Sequence, residues 1–230
     1  MKPKALVAGA TGNVGSATMK LLAKQGWAVD GLARSRDIRL PDTQLLHTED
    51  WEAVGGYLAD QAHGPYDLVL MAQGTQKPAR LVELSQSMWA DIRASNLDSA
   101  VCLTANLIQS RKLNPGALIV YCSSIQASHP RAGRGAYGVA KSGIEALARI
   151  TSVELANVGV RAVALRLGQL TTPMRGIEFT ASQVAELQGR SYAQWPSPDN
   201  VAAMTLALYE QPAVTGCTIP VSSGHELNVW

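Results

Sequence analysis

Seven short apolar runs punctuate the chain, and a stretch of helical periodicity follows almost every one of them. The runs are KALVAGA (4–10), WAVDGLA (27–33), TQLLH (43–47), YDLVLMA (66–72), GALIVYCSS (116–124), VRAVALRL (160–167) and TGCTIPV (215–221). Most are continuously apolar rather than alternating, so each strand needs cover on both faces. That requirement is met by a parallel sheet with helices on either side. The helical stretches fall at 14–26, closing on Gly26, at 51–62, at about 87–110, through 135–159, and at 197–210 with Asp199 as N-cap. The reading is one α/β domain over 1–230, a doubly wound parallel sheet of about seven strands. The least regular stretch, about 168–198, breaks this rhythm and is read as a substrate loop.

Composition removes several classes of function. A formal charge of +2 gives little pull on nucleic acid or an anionic membrane, and no apolar run reaches the roughly 20 residues of a membrane span. The apolar stretch near Met1 is short and runs into glycines, unlike a secretory signal. Cys102, Cys122 and Cys217 are an odd set with no ligand spacing, and the four histidines are scattered, so no metal site is expected. Buried free thiols fit a reducing compartment, and the expectation is a cytoplasmic protein.

After the first run comes VAGATGNVGSA, with Gly9, Gly12 and Gly15 at three-residue intervals between strand and helix. Such a turn lets backbone N–H groups approach a pyrophosphate, which the helix N-terminus favours. A ligand-free turn would use the same residues, but the strand–helix context favours a dinucleotide held by Gly9, Thr11, Gly12, Asn13, Val14 and Gly15. The second strand ends in LARSRD. An acid at that point would hold the ribose hydroxyls of NAD; Arg34, Ser35 and Arg36 suit a phosphate monoester instead, unless they are simply solvated. NADP(H) is therefore expected in preference to NAD(H).

GAYGVAKSG (135–143) sets Tyr137 and Lys141 one helical turn apart. Alone this could be a surface pair. Ser124, however, closes the fifth run 13 residues earlier, and Asn96 lies 28 residues before that. With the glycine turn, this order and spacing resemble the short-chain dehydrogenase/reductase family over nearly the whole chain. The resemblance implies a Rossmann-type fold and interconversion of a carbonyl compound and an alcohol. Tyr137 would be the acid–base group and Ser124 the donor to the substrate oxygen. Lys141 would lower the tyrosine pKa and hold the nicotinamide ribose, and Asn96 would support a proton-relay water. It also implies cofactor contacts from Gly74, Gly168, Leu170 and Thr172, and a homodimer or homotetramer. The pairing would run through the helix after Tyr137, whose Gly138, Ala140, Gly143 and Ala146 permit close contact.

Some residues depart from the family's usual pattern. Asn13 stands where a second glycine is common, MAQG (71–74) replaces an asparagine-containing segment, and Leu167 replaces a proline. The turn thus reads GxxGxxG, which also occurs in nucleotide-sugar epimerases and dehydratases. Those need a sizeable C-terminal lobe, and the 89 residues after Lys141 are enough to finish the sheet and add a loop, not a second lobe. A non-catalytic NADP-sensing regulator is the other alternative; the Tyr137/Lys141 pair speaks against it. Met174, Phe179, Tyr192 and Trp195 could line an apolar pocket or pack within the loop. His129, Arg131 and Arg134 could meet an anionic substrate or stand in solvent.

Overall fold

The computed structural model describes residues 2–34, 43–172, 180–182, 185, 189 and 193–224. Seven strands form one sheet: β1 (Lys4–Ala8), β2 (Ala28–Ala33), β3 (Thr43–Leu45), β4 (Tyr66–Met71), β5 (Leu113–Ser124), β6 (Arg161–Leu167) and β7 (Thr218–Val221). All pairings are parallel, in the order β3-β2-β1-β4-β5-β6-β7. Among the described residues the sheet is covered by α1 (Asn13–Lys24), α2 (Trp51–Ala59), α3 (Gln86–Arg93), α4 (Ser99–Gln109), α5 (Gly135–Glu154) and α6 (Pro198–Tyr209). This is the expected doubly wound α/β fold.

Alternate residues of each strand explain the continuous apolar runs. Leu6, Ala8, Val69, Met71, Ile119 and Tyr121 face a layer built from α2, α4 and α5. Ala5, Val7, Leu68, Leu70, Leu118 and Val120 face the opposite layer, where Met19 and Leu22 of α1 meet Val201 and Leu208 of α6. Burying one of the valine, leucine, isoleucine or methionine side chains is worth roughly 1.5–3 kcal/mol. The central strands β1, β4 and β5 are thus anchored from both sides, and their C-terminal ends form a fixed rim. The chain order reverses between β1 and β4, the place where a crevice opens in such sheets.

Four boundaries differ from the sequence reading. The helix expected over 87–110 is split: a five-residue π-helical turn, Ala94–Asp98, joins α3 to α4. Its cause is local. The Asn96 side chain donates from Nδ2 to the Ile92 carbonyl at 2.8 Å, taking the acceptor that a regular turn reserves for a backbone N–H. β5 begins at Leu113 rather than Gly116, with a register shift opposite Tyr66–Leu68. α5 ends at Glu154, and a single 3-10 turn carries the chain to Gly159. The N-cap of α6 is Ser197, in a reciprocal capping box with Asn200, and Asp199 lies inside the first turn. Gly26 does close α1, in the left-handed region at φ 83°.

Candidate active site

The loops after β1, β2, β4, β5 and β6 enclose a cleft of about 810 Å³. At its floor Gly9 turns with φ 81°, and a Cβ there would lie 2.7 Å from the Ala72 backbone. Thr11, Gly12, Asn13 and Val14 complete this wall. No acidic side chain sits in the first turn of α1, so its N-terminus remains attractive to an anion. Gly15 has another job. It does not line the cleft but lies under the turn, where a Cβ would collide with the Gly9 carbonyl oxygen. Gly15 thus allows close packing of α1 on the Gly9–Ala10 turn.

Arg34 lies exposed at the end of β2 and lines the cleft. Ser35 and Arg36 lie outside the described residues, as do Met174, Phe179 and Tyr192. Asp30 is committed elsewhere: its carboxylate accepts from the Tyr66 hydroxyl at 2.7 Å and pairs with Lys4 at 3.1 Å.

Ser124, Tyr137 and Lys141 converge on the other wall. Ser124 ends β5 and accepts from the Gln126 N–H at 3.3 Å. Tyr137 and Lys141 occupy one face of α5, with the ammonium 5.6 Å from the phenol ring centroid. Tyr137 is packed with Ile92 and Ala140 into a small core of its own. Burial pushes its phenol up to about 12, against a hydrogen bond from Ser124 and the nearby charge of Arg134. The expected lowering by Lys141 is not what the isolated chain does. Lys141 Nζ donates instead to the Cys122 carbonyl at 2.9 Å, and burial draws its own pKa down to about 8.

Asn96 stands one layer behind the cleft wall. Nδ2 donates to the carbonyls of Ile92 and Thr75, each at 2.8 Å, while Oδ1 is buried and has no partner among the described residues. Gly74 separates it from the cleft, at φ 153°. A Cβ on Gly74 would overlap Asn96 Oδ1 and come within 3.4 Å of Lys141 Nζ. Glycine is thus required at position 74 to keep a small polar space between amide and ammonium.

Gly168, Leu170 and Thr172 line the cleft after β6. Trp195 is buried and does not line it. His129 turns to Ser128 and stays outside, whereas Arg131 and Arg134 are in the wall. Sequence reasoning missed Leu46, His47 and Thr48 after β3, and the amides Gln73, Gln76, Gln126 and Gln169. Each follows the end of a strand within a few residues, the one signal that would have flagged them.

The site fits a nicotinamide dinucleotide. It offers the acid-free N-terminus of α1, a glycine turn open to close approach, and in its wall the buried carbonyl oxygen Gln73 Oε1, without a donor among the described residues. A family model described as enoyl-(acyl carrier protein) reductase matches residues 9–226. The chain belongs to the short-chain dehydrogenase/reductase family. It is 25% identical over 234 residues to the 3-oxoacyl-[acyl-carrier-protein] reductase FabG of Vibrio cholerae serotype O1, covering 96% of each chain. It is also 25% identical over 238 residues to the D-beta-hydroxybutyrate dehydrogenase of Cupriavidus necator, covering 91% of each. A crystal structure of a short chain dehydrogenase family protein from Francisella tularensis superposes with a TM-score of 0.88 at 17% identity, covering 99% of this chain and all of that one, and shows the shared fold. Short-chain dehydrogenase/reductases are oxidoreductases that use NAD(P)(H), and the cleft is where this one would hold it. Among the described residues no helix is long and apolar enough to cross a membrane, and no cluster of metal-ligating side chains occurs.

Proposed function

We propose that the chain is an NADP(H)-dependent oxidoreductase that interconverts a carbonyl compound and an alcohol, with Tyr137 as the acid–base group. The observation that carries this reading is the meeting of Ser124, Tyr137 and Lys141 in the cleft that also holds the Gly9–Val14 turn. When bound, the nicotinamide dinucleotide supplies or accepts the hydride. The chain supplies the proton and the charge stabilisation. Ser124 donates to the carbonyl oxygen, a bond that strengthens as negative charge builds there. Tyr137, protonated at neutral pH in its buried setting, transfers its hydroxyl proton to that oxygen. Lys141, with a pKa near 8, is poised to return a proton to the phenolate. A water held between Asn96 Oδ1 and Lys141 Nζ, beside Gly74, links that proton to solvent. Arg34, at a strand end without an acid, supports NADP(H) over NAD(H).

The same reading includes self-assembly. Val139, Ile150 and Val153 are exposed on one face of α5, in phase with Gly143 and Ala146, and Val101 of α4 is exposed as well. Gly138, Ala140 and Gly143 are already used within the chain, against Gln126, the Tyr137 core and Leu97 respectively. The valines and isoleucine therefore carry the proposed homodimer or homotetramer contact, rather than those small residues.

The test is a screen of carbonyl compounds followed by NADPH absorbance, then Tyr137→Phe on the best substrate. We expect kcat to fall by about 10²–10⁴-fold, the range for a lost general acid, with melting temperature and NADPH affinity close to native. Ser124→Ala should lower kcat mainly, and Lys141→Ala both rate and cofactor affinity. Near-native kcat in Tyr137→Phe overturns the mechanism.

A further inference from the structure

The wall that carries Tyr137 also carries a cation that no carboxylate among the described residues faces within ion-pair distance. Arg134 is the residue immediately before α5, one turn from Tyr137, half-buried and in the cleft. With the Gln76 carboxamide turned to satisfy both groups, its oxygen accepts from Arg134 Nε at 3.2 Å and Nη1 at 2.9 Å. Among the described residues no carboxylate pairs with Arg134. A guanidinium drawn out of water and matched only by a neutral amide is an incomplete arrangement, because its planar fork fits a carboxylate far better.

The segment that presents it is tied down. The Arg131 N–H donates to Gln126 Oε1 at 2.9 Å, the Arg134 N–H to the Arg131 carbonyl at 3.0 Å, and the Ala79 N–H to the Gly133 carbonyl at 3.0 Å. Arg131 lines the same wall. The cofactor's phosphates do not account for this charge. Their cradle is the Gly9–Val14 turn, and Arg34 stands at the end of β2, three strand positions from β5, about 14 Å across the sheet. Arg134 belongs to the end of the cleft where the reacting carbonyl would lie against Ser124 and Tyr137.

We infer that the substrate carries a carboxylate, and that Arg134, steadied by Gln76, binds it: the chain acts on a short oxo acid and the corresponding hydroxy acid. The inference rests on the oxidoreductase reading of the cleft. The carboxylate sets the carbonyl between Ser124 and Tyr137, so Arg134 works as a specificity residue and takes no part in proton transfer.

The test compares pyruvate, acetoacetate and levulinate with their methyl esters, which keep each carbon skeleton and remove the charge. The protein is loaded with NADPH or NADH, and both kcat/KM and calorimetric binding are measured. We expect at least one acid to exceed its ester by about 30-fold or more, as a desolvated charge-assisted pair allows. Arg134→Met should bring that ratio to within about threefold of unity, and Arg134→Lys should recover part of it. Should no compound turn over, the oxidoreductase reading fails for these substrates. Acids that still bind better than esters, and lose that advantage in Arg134→Met, would then keep the carboxylate site. Esters turned over or bound as well as acids, or a ratio untouched in both Arg134 variants, overturn it while leaving the oxidoreductase reading intact.

Discussion

At the scale of single residues, the most consequential group is a lysine kept where lysines are costly. Lys141 is 4% exposed, and its ammonium has one carbonyl acceptor, from Cys122. Its pKa falls from 10.5 to about 8 on burial. Below pH 8 the folded protein therefore holds a charge it would rather release, at a cost of about 3 kcal/mol. Between pH 8 and 10.5 the unfolded chain binds more protons than the folded one, so stability from this group rises with pH. Tyr137 works in the opposite sense, but only above pH 10, where its raised pKa leaves the folded phenol protonated. Lys141→Met in the cofactor-free protein removes the lysine contribution and loses one hydrogen bond, worth about 1 kcal/mol at any pH. Its melting temperature should stand above that of the wild type at pH 7, and the gap should shrink by pH 9.5. A gap that does not change with pH would mean that the ammonium is not held charged in a desolvated place. Such a group is expensive for stability, and its retention here accords with a role in proton traffic.

At the scale of elements, α5 does three things at once. Its buried face holds Tyr137 and Lys141, and its next turn sends Glu145 into a network that ties sheet to helix. Glu145 accepts from Arg166 Nε at 2.8 Å, from Arg166 Nη2 at 2.7 Å, and from the Ser123 hydroxyl at 2.9 Å. Its outer face shows the apolar stripe through Val139, Ile150 and Val153. Ile150→Glu with Val153→Glu places charge on that stripe without entering the core. We expect the native protein to scatter light as a dimer or tetramer at micromolar concentration and the double variant as a monomer, with far-UV circular dichroism unchanged. A native monomer would overturn the assembly. The sequence made much of α5 legible, because a Tyr and a Lys four apart share a face whatever surrounds them. It could not disclose which small residues are spent inside the fold. Gly143, for example, is packed against Leu97, which lies within the π-helical turn. That turn was itself illegible, since the bond that produces it is made by one side chain to its own helix.

At the scale of the whole molecule, the alternation of apolar runs and helices was enough to predict the sheet, since strands covered on both faces leave few other arrangements. The site was legible as far as its glycines and its four spaced polar residues. The cleft's amides and the Leu46–Thr48 stretch were not, because residues at strand ends are brought together by sheet order and not by spacing along the chain. Cofactor preference is a property of this scale, since NADP(H) would span the cleft from Arg34 to Tyr137. NADPH at about 100 times its dissociation constant should stabilise the fold by about 2.7 kcal/mol. NADH at the same concentration should raise the melting temperature distinctly less, and Arg34→Ala should narrow the difference. Equal shifts in the native protein would overturn the assignment of Arg34. The reversal of strand order between β1 and β4 has one more consequence. It runs like a seam through the molecule, with the glycine turn and Arg34 stitched to one side and Ser124, Tyr137 and Lys141 to the other. On the proposed function neither side would own a workable half of the chemistry. Substrate and cofactor would meet only where two stretches of one chain have been sewn edge to edge, so turnover would report on the pairing of β1 with β4.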